Sequence, residues 1–217
     1  MHIKIVLSAV ASTSLTAACA TLPPPAPAVL EYGRQDCEAA PNLAAAISLT
    51  PAKESQAHRV STVVTDQTAC LTRDGMTSPY VVYALPADRD DKTVIVGGVL
   101  EALRIFAPTV TLLDTHGQIS RAFPAEEFLY RGSVYSVQFR PRETEAYILV
   151  GGNPTQVGTG YDAINVGTNT TTVSTGYYAS NITTGTEHHS SRTFSWEGTV
   201  LVTVNDSDTD EKPADPT

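Results

Sequence analysis

Tyr135-Ser136-Val137-Gln138-Phe139-Arg140 alternates large apolar residues with polar ones. Successive side chains of a strand point to opposite faces, so this spelling buries one face and leaves the other to water. Trp196, Val200, Val202 and Val204, set against Glu197, Thr199 and Thr203, repeat the pattern and place Trp196 in a core. Val94-Ile95-Val96 and the apolar runs at 110–113 and 147–150 are shorter. Turn signals bound them: Asp114-Thr115-His116-Gly117, Arg140-Pro141-Arg142 and Gly151-Gly152-Asn153-Pro154. Residues 108–123 are predicted to form a hairpin over 114–117. Gly97-Gly98 reads as a bend or strand end. Helical periodicity is weak, and only 43–47 and 99–105 could form short helices. Many short strands at regular spacing predict a mainly β fold, an antiparallel β-sandwich of jelly-roll or immunoglobulin-like type.

Residues 155–195 are rich in Gly, Thr, Ser and Asn, with Tyr161, Tyr177 and Tyr178 as the main large side chains. A structureless loop of that length is rare in a compact domain. The β-branched and aromatic residues at 170–174 and 177–184 are enough for two strands to pair. A long β hairpin or flap projecting from the sandwich is therefore expected.

The start of the chain carries Lys4, an apolar stretch at 5–15 and small residues before Cys19. That order describes a secretory signal peptide over 1–18. Leu15-Thr16-Ala17-Ala18-Cys19 is similar to a bacterial lipobox, which makes Cys19 the expected site of lipid attachment. The apolar stretch is too short to span a bilayer, which takes about 20 residues. Ala20, where Asp would favour inner-membrane retention, points to an outer-membrane lipid anchor with the domain in the periplasm. Residues 19–30 include Pro23, Pro24, Pro25 and Pro27 and read as a stiff polyproline II tether. The acidic tail at 206–217 is expected to be disordered.

Net charge is −9, and no basic cluster offsets it. Such a surface repels nucleic acid and anionic headgroups, so neither is an expected partner. With Cys19 acylated, Cys37 and Cys70 remain as a pair in an oxidising compartment, where a disulfide is the expected state. Metal ligation would need more partners at tight spacing, and a catalytic thiol would need a histidine base. The bridge would pin the segment 31–76, poor in strand signals, to a domain spanning 77–205.

Tyr83-Ala84-Leu85-Pro86, Ile105-Phe106-Ala107-Pro108, Val110-Thr111-Leu112-Leu113-Asp114, Phe123-Pro124 and Tyr147-Ile148-Leu149-Val150 follow one another in order. In this order and spacing, residues 78–152 resemble the maltose operon periplasmic protein family, with a weaker match at 198–204. The resemblance implies an exported β-sandwich protein linked to α-glucan uptake. It implies no enzymatic activity and supplies no catalytic residue.

The residues themselves offer little chemistry. Glu126-Glu127 would point to opposite faces of a strand, a poor arrangement for an acid–base pair across a sugar, and reads as a solvated turn. His188-His189 has only Glu187 nearby, short of a metal set. Asp206-Ser207-Asp208-Thr209-Asp210 begins like a calcium loop, but Glu211 stands where glycine should turn the chain. No Gly-x-Ser-x-Gly and no phosphate-cradling glycine loop occurs. Tyr161, Tyr177 and Tyr178, set among Asn and Thr, remain as candidate contacts to a ligand or partner. The expectation is a non-catalytic envelope lipoprotein with no cofactor and no metal. It would act as an accessory or binding module for a glycan of the maltodextrin type. The alternative is a structural or assembly lipoprotein whose long hairpin pairs with another envelope protein.

Overall fold

The computed structural model describes residues 23–53, 56–73, 75–174 and 176–206. The expected signal peptide, Cys19, the first part of the tether and the tail beyond Asp206 lie outside them. The described strands are, in chain order, β1 (Ile47–Ser48), β2 (Ala57–Val64), β3 (Cys70–Arg73), β4 (Met76–Ala84), β5 (Lys92–Val99), β6 (Arg104–Phe106), β7 (Pro108–Leu113), β8 (Ile119–Phe123), β9 (Leu129–Arg131), β10 (Val134–Phe139), β11 (Tyr147–Gly152), β12 (Gly160–Ser174), β13 (Ala179–Ser195) and β14 (Gly198–Asp206). Helix among the described residues is confined to three short 3-10 turns at Leu43–Ala45, Arg89–Asp91 and Ala125–Glu127. The fold is therefore mainly β.

The strands form three sheets, none of them closed. The first runs β1-β4-β11-β7-β8, with β3 also on β4; the second runs β2-β14-β5-β10-β9; the third is β12-β13-β6. Most ladders are antiparallel, but β1 runs parallel to β4 and β6 parallel to β13. Both partners are reached by long excursions of the chain, and only a crossover of a dozen or more residues permits a parallel pair.

The period-two reading held where it was strongest. Tyr135, Val137, Phe139, Val200, Val202 and Val204 are all buried as expected; of the polar residues set against them Gln138 is exposed, but Ser136 and Thr203 are buried, so the second face is only partly open to water. The main core takes Val81, Tyr83, Leu112 and Ile148 from the first sheet and Val94, Val96, Val137 and Val202 from the second. Phe106 and Phe194 join it from the third. The 108–123 hairpin forms by pairing of β7 with β8. Its turn is held by Asp114 Oδ1, which accepts from the backbone N–H of His116 and of Gln118, each at 2.8 Å. Gly117 supplies the left-handed residue at φ 78°.

Other expectations failed. Residues 99–105 are not helical: they close β5 and open β6, and at 43–47 only a single 3-10 turn precedes β1. Tertiary pairing overrides these short local preferences. Gly97 and Gly98 form no bend; they lie in the last three residues of β5, which ends at Val99. A Cβ on Gly97 would sit 2.0 Å from the Tyr135 carbonyl oxygen, and one on Gly98 2.2 Å from that of Phe106. Only glycine lets these backbones approach so closely.

Residues 31–76 do more than hang from a bridge. They supply β2, which pairs with β14 along its whole length, and β1 and β3, which pair with successive parts of the β4 edge opposite β11. Cys37 and Cys70 are bonded, their sulfurs 2.07 Å apart. The segment just after Cys37 runs over the outer face of the first sheet. There Leu43 and Ala46 pack on a second apolar cluster of Leu71, Tyr80, Val82, Leu113 and Leu149. The Tyr80 hydroxyl donates to Glu38 and accepts from the Asn42 N–H.

The far end of the proline-rich stretch is docked. Val29 N–H donates to Ser195 Oγ at 2.9 Å, and Trp196 N–H donates to Val29 O at 3.0 Å. Tyr32 packs its ring on Trp196, with centroids 5.6 Å apart.

Candidate functional site

The segment rich in Thr, Asn and Gly forms a two-stranded ribbon. All fifteen residues of β12 pair antiparallel with β13, from Gly160↔Thr193 to Ser174↔Ala179, in a register without a bulge. Threonine, valine and isoleucine favour extended backbone, which explains strands where little core can be made. Gly176 turns the tip at φ 88°. Directly opposed side chains tie one face together: Thr170 and Thr183 hydroxyls meet at 3.0 Å, and Thr172 Oγ1 donates to Asn181 Oδ1 at 2.8 Å. The register puts Val173 and Ile182 on the other face, and both are about half exposed.

The base of the ribbon is anchored in the body. Thr193, Phe194 and Ser195 pair with β6, and Phe194 and Ser195 are buried. Tyr161 stacks on Tyr130 of β9, centroids 3.8 Å apart. Tyr130 also leans on Tyr135, which in turn meets Phe128 and Phe194. The Tyr135 hydroxyl accepts from Gln156 Nε2 at 2.7 Å. Burial, reinforced by the neighbouring tyrosines Tyr135 and Tyr161, pushes the Tyr130 hydroxyl up to about 12. Beside this cluster Arg104 bridges Glu101 at 2.8 Å and Glu197 at 3.3 Å, and Thr199 Oγ1 donates to Glu101. Arg104 also reaches the Pro27 carbonyl. Both carboxylates are thus engaged in tying β6, β14 and the docked N-terminal stretch together.

The three candidate tyrosines do not share one surface. Tyr161 lies at the base with one face covered by Tyr130. Tyr177 and Tyr178 lie at the tip, with relative exposures of 104% and 73%. Some fourteen strand residues at about 3.3 Å each separate base from tip, on the order of 45 Å. Tyr130 was not anticipated as a site residue. The only sign of it in the sequence is an aromatic in a short strand, which does not tell which ring it meets.

The remaining candidates are weaker. Glu126 and Glu127 lie on an exposed 3-10 turn. His189 Nε2 lies 3.8 Å from Glu187, both exposed, and among the described residues no group of three or more His, Cys, Asp or Glu could hold a metal ion. A cleft of about 270 Å³ opens on the outer face of the first sheet, over Leu71, Met76, Tyr80, Thr109, Thr111 and Leu149. No carboxylate or imidazole lines it. No described helix is long and apolar enough to cross a membrane. No family model, curated protein or solved structure matches the chain.

Proposed function

We propose that this chain is a non-catalytic lipoprotein of the bacterial cell envelope that works as an assembly module, its ribbon adding a strand to the sheet edge of another envelope protein. The observation that carries the reading is the ribbon itself, two long exposed strands whose outer edges meet only the three residues of β6 among the described strands. A strand edge is a row of unpaired N–H and C=O groups, and proteins that avoid pairing blunt it with Lys, Pro or bulges. Neither Lys nor Pro occurs in β12 or β13, and their register has no bulge. Strand addition gives affinity through the backbone and specificity through alternate side chains.

In this reading the two larger sheets are the halves of a sandwich, with the ribbon as its projecting hairpin. The shared core, drawn from both sheets, supports that architecture. Anchoring through Cys19 would set the ribbon in the periplasm. The resemblance to the maltose operon periplasmic proteins fits an accessory role in glucan uptake. A glycan contact is the second reading, and the exposure of Tyr177 and Tyr178 among Asn and Thr favours it at the tip.

The test is capture from intact envelopes with the whole chain and with a variant in which residues 164–190 are replaced by a short Gly-Ser turn. Loss of the captured protein, with the body still folded, is expected. Undiminished capture by the shortened chain would move the site to the body. Retention of labelled maltodextrin by the whole chain, lost in Tyr177→Ala/Tyr178→Ala, would favour the glycan reading.

A further inference from the structure

The two halves of the ribbon differ in charge. From Ala163 to Thr186 the chain runs 24 residues without a charged side chain or histidine, while the whole protein carries −9. Asp162 is the only charged residue of β12, near its base. Glu187, His189 and Arg192 of β13 lie toward the same base, opposite residues 161–166. Resting on the reading of the ribbon as a strand-adding element, we infer that the β12 edge at 168–174 pairs antiparallel with the same edge of a second copy of this chain. The result is a four-stranded ribbon across a two-fold axis.

Three observations select a second copy as the occupant. First, two copies of an acidic protein repel each other over most of their surfaces, and self-association is least opposed where charge is absent. The neutral half of the ribbon is that place. Second, a different partner is usually chosen by complementary charge or by pockets for its side chains. Thr168-Asn169-Thr170-Thr171-Thr172-Val173-Ser174 offers neither, whereas the base half of β13 keeps Glu187 and Arg192 with which to select a different protein. Third, a two-fold interface must be self-complementary. An antiparallel pair of identical strands meets that requirement, because each edge presents N–H and C=O groups in the alternation the other needs. β-branched threonines, uninterrupted register and the absence of Pro keep this edge straight enough to pair.

A register symmetric about Thr171 sets that residue against its own copy and Thr170 against Thr172. It brings Val173 of each copy opposite Asn169, on the face that also carries Ile182. It also leaves the β13 edge open to the envelope partner, so the two associations can coexist. The interface is small, and association of the purified chain should be reversible and weak.

Sedimentation equilibrium of the whole purified chain over roughly 1–500 µM tests the pairing. The mass should climb from monomer toward dimer. Thr171→Lys and Thr171→Glu should each weaken dimerisation at least tenfold without moving the melting temperature, since like charges set opposite each other destabilise a strand pair. An equimolar mixture of the two variants should recover it and lose it again in high salt. A wild type that stays monomeric throughout would overturn the inference, as would a dimer untouched by both substitutions. Envelope capture separates this from the proposed function. A monomeric wild type that still captures a protein through the ribbon sinks self-pairing alone. A Thr171-sensitive dimer whose removal of 164–190 leaves capture intact sinks the assembly reading alone.

Discussion

Glu145 is fully buried, and its carboxylate meets Arg121 at 3.0 Å, the Arg142 backbone N–H at 2.8 Å and Ser120 Oγ at 3.2 Å. Arg121 in turn spreads over the rings of Phe123 and Phe139. The acid thereby fastens the β7–β8 hairpin to the loop that follows β10. Glu145→Ala leaves Arg121 with only the Arg140 carbonyl and the Arg142 N–H without its acceptor, and should cost about 2–3 kcal/mol in urea unfolding. Glu145→Gln keeps the acceptor and should cost less than half of that; equal losses in the two variants would contradict the account. Nothing in the spelling Glu143-Thr144-Glu145 marks one glutamate as buried and the other as solvent-facing. Tyr130 is a similar case, since its stacking on Tyr161 joins residues distant in the chain. The inward faces of β10 and β14 were legible, because alternation in strands is a local property.

At the scale of elements, the disulfide was legible and its consequence was not. Three cysteines, with Cys19 expected to carry lipid and an oxidising compartment expected, suffice to pair Cys37 with Cys70. That the pair fastens a cover over Leu71, Tyr80 and Leu149 depends on the course of the chain between them. A closed loop of 33 residues implies about 3–4 kcal/mol of stabilisation. Cys37→Ser/Cys70→Ser should lose about that much, and Leu43 and Ala46 should exchange amide hydrogen faster than β10. A double variant as stable as the wild type would show that the cover holds without its bridge. The ribbon teaches the same lesson about boundaries. Residues 155–195 read as one insertion, yet Phe194 and Ser195 belong to the core and Tyr161 to the aromatic cluster. Only the part beyond the base can be removed with little loss, and long surface insertions cost little to close.

Across the whole molecule, the ends of β5 and β14 are joined by charge. Lys92 bridges Asp206 at 2.6 Å and Asp88 at 2.9 Å. The hydrogen bond from Lys92 holds the Asp88 carboxyl below its ordinary value, and those to Asp206 and Asp88 raise the Lys92 ammonium. A lowered acid contributes stability that is present above about pH 4 and lost as pH falls through its folded value. A raised amine contributes stability that is present below about pH 10.5 and lost above it. The bridge is therefore complete between those limits. Lys92→Met should flatten the acid limb of a stability–pH curve, and an unchanged slope below pH 4 would show that other carboxylates govern it. The proposed anchor makes a second prediction at this scale. Cys19→Ser should move the protein from the membrane to the soluble fraction, with acyl mass lost from the intact chain; a variant that stays membrane-bound would refute it. By itself the sequence determined that the protein is mainly β, which faces of β10 and β14 turn inward, where the 108–123 hairpin turns and which cysteines pair. Each of these follows from residues close together in the chain or from a count. Tertiary structure alone decided which strands are neighbours, that Gly97 and Gly98 lie under close backbone contacts, that two ladders run parallel, and that Tyr161 parts from Tyr177 and Tyr178. Those are properties of pairing between distant segments, and a period of two specifies a face without specifying the strand beside it.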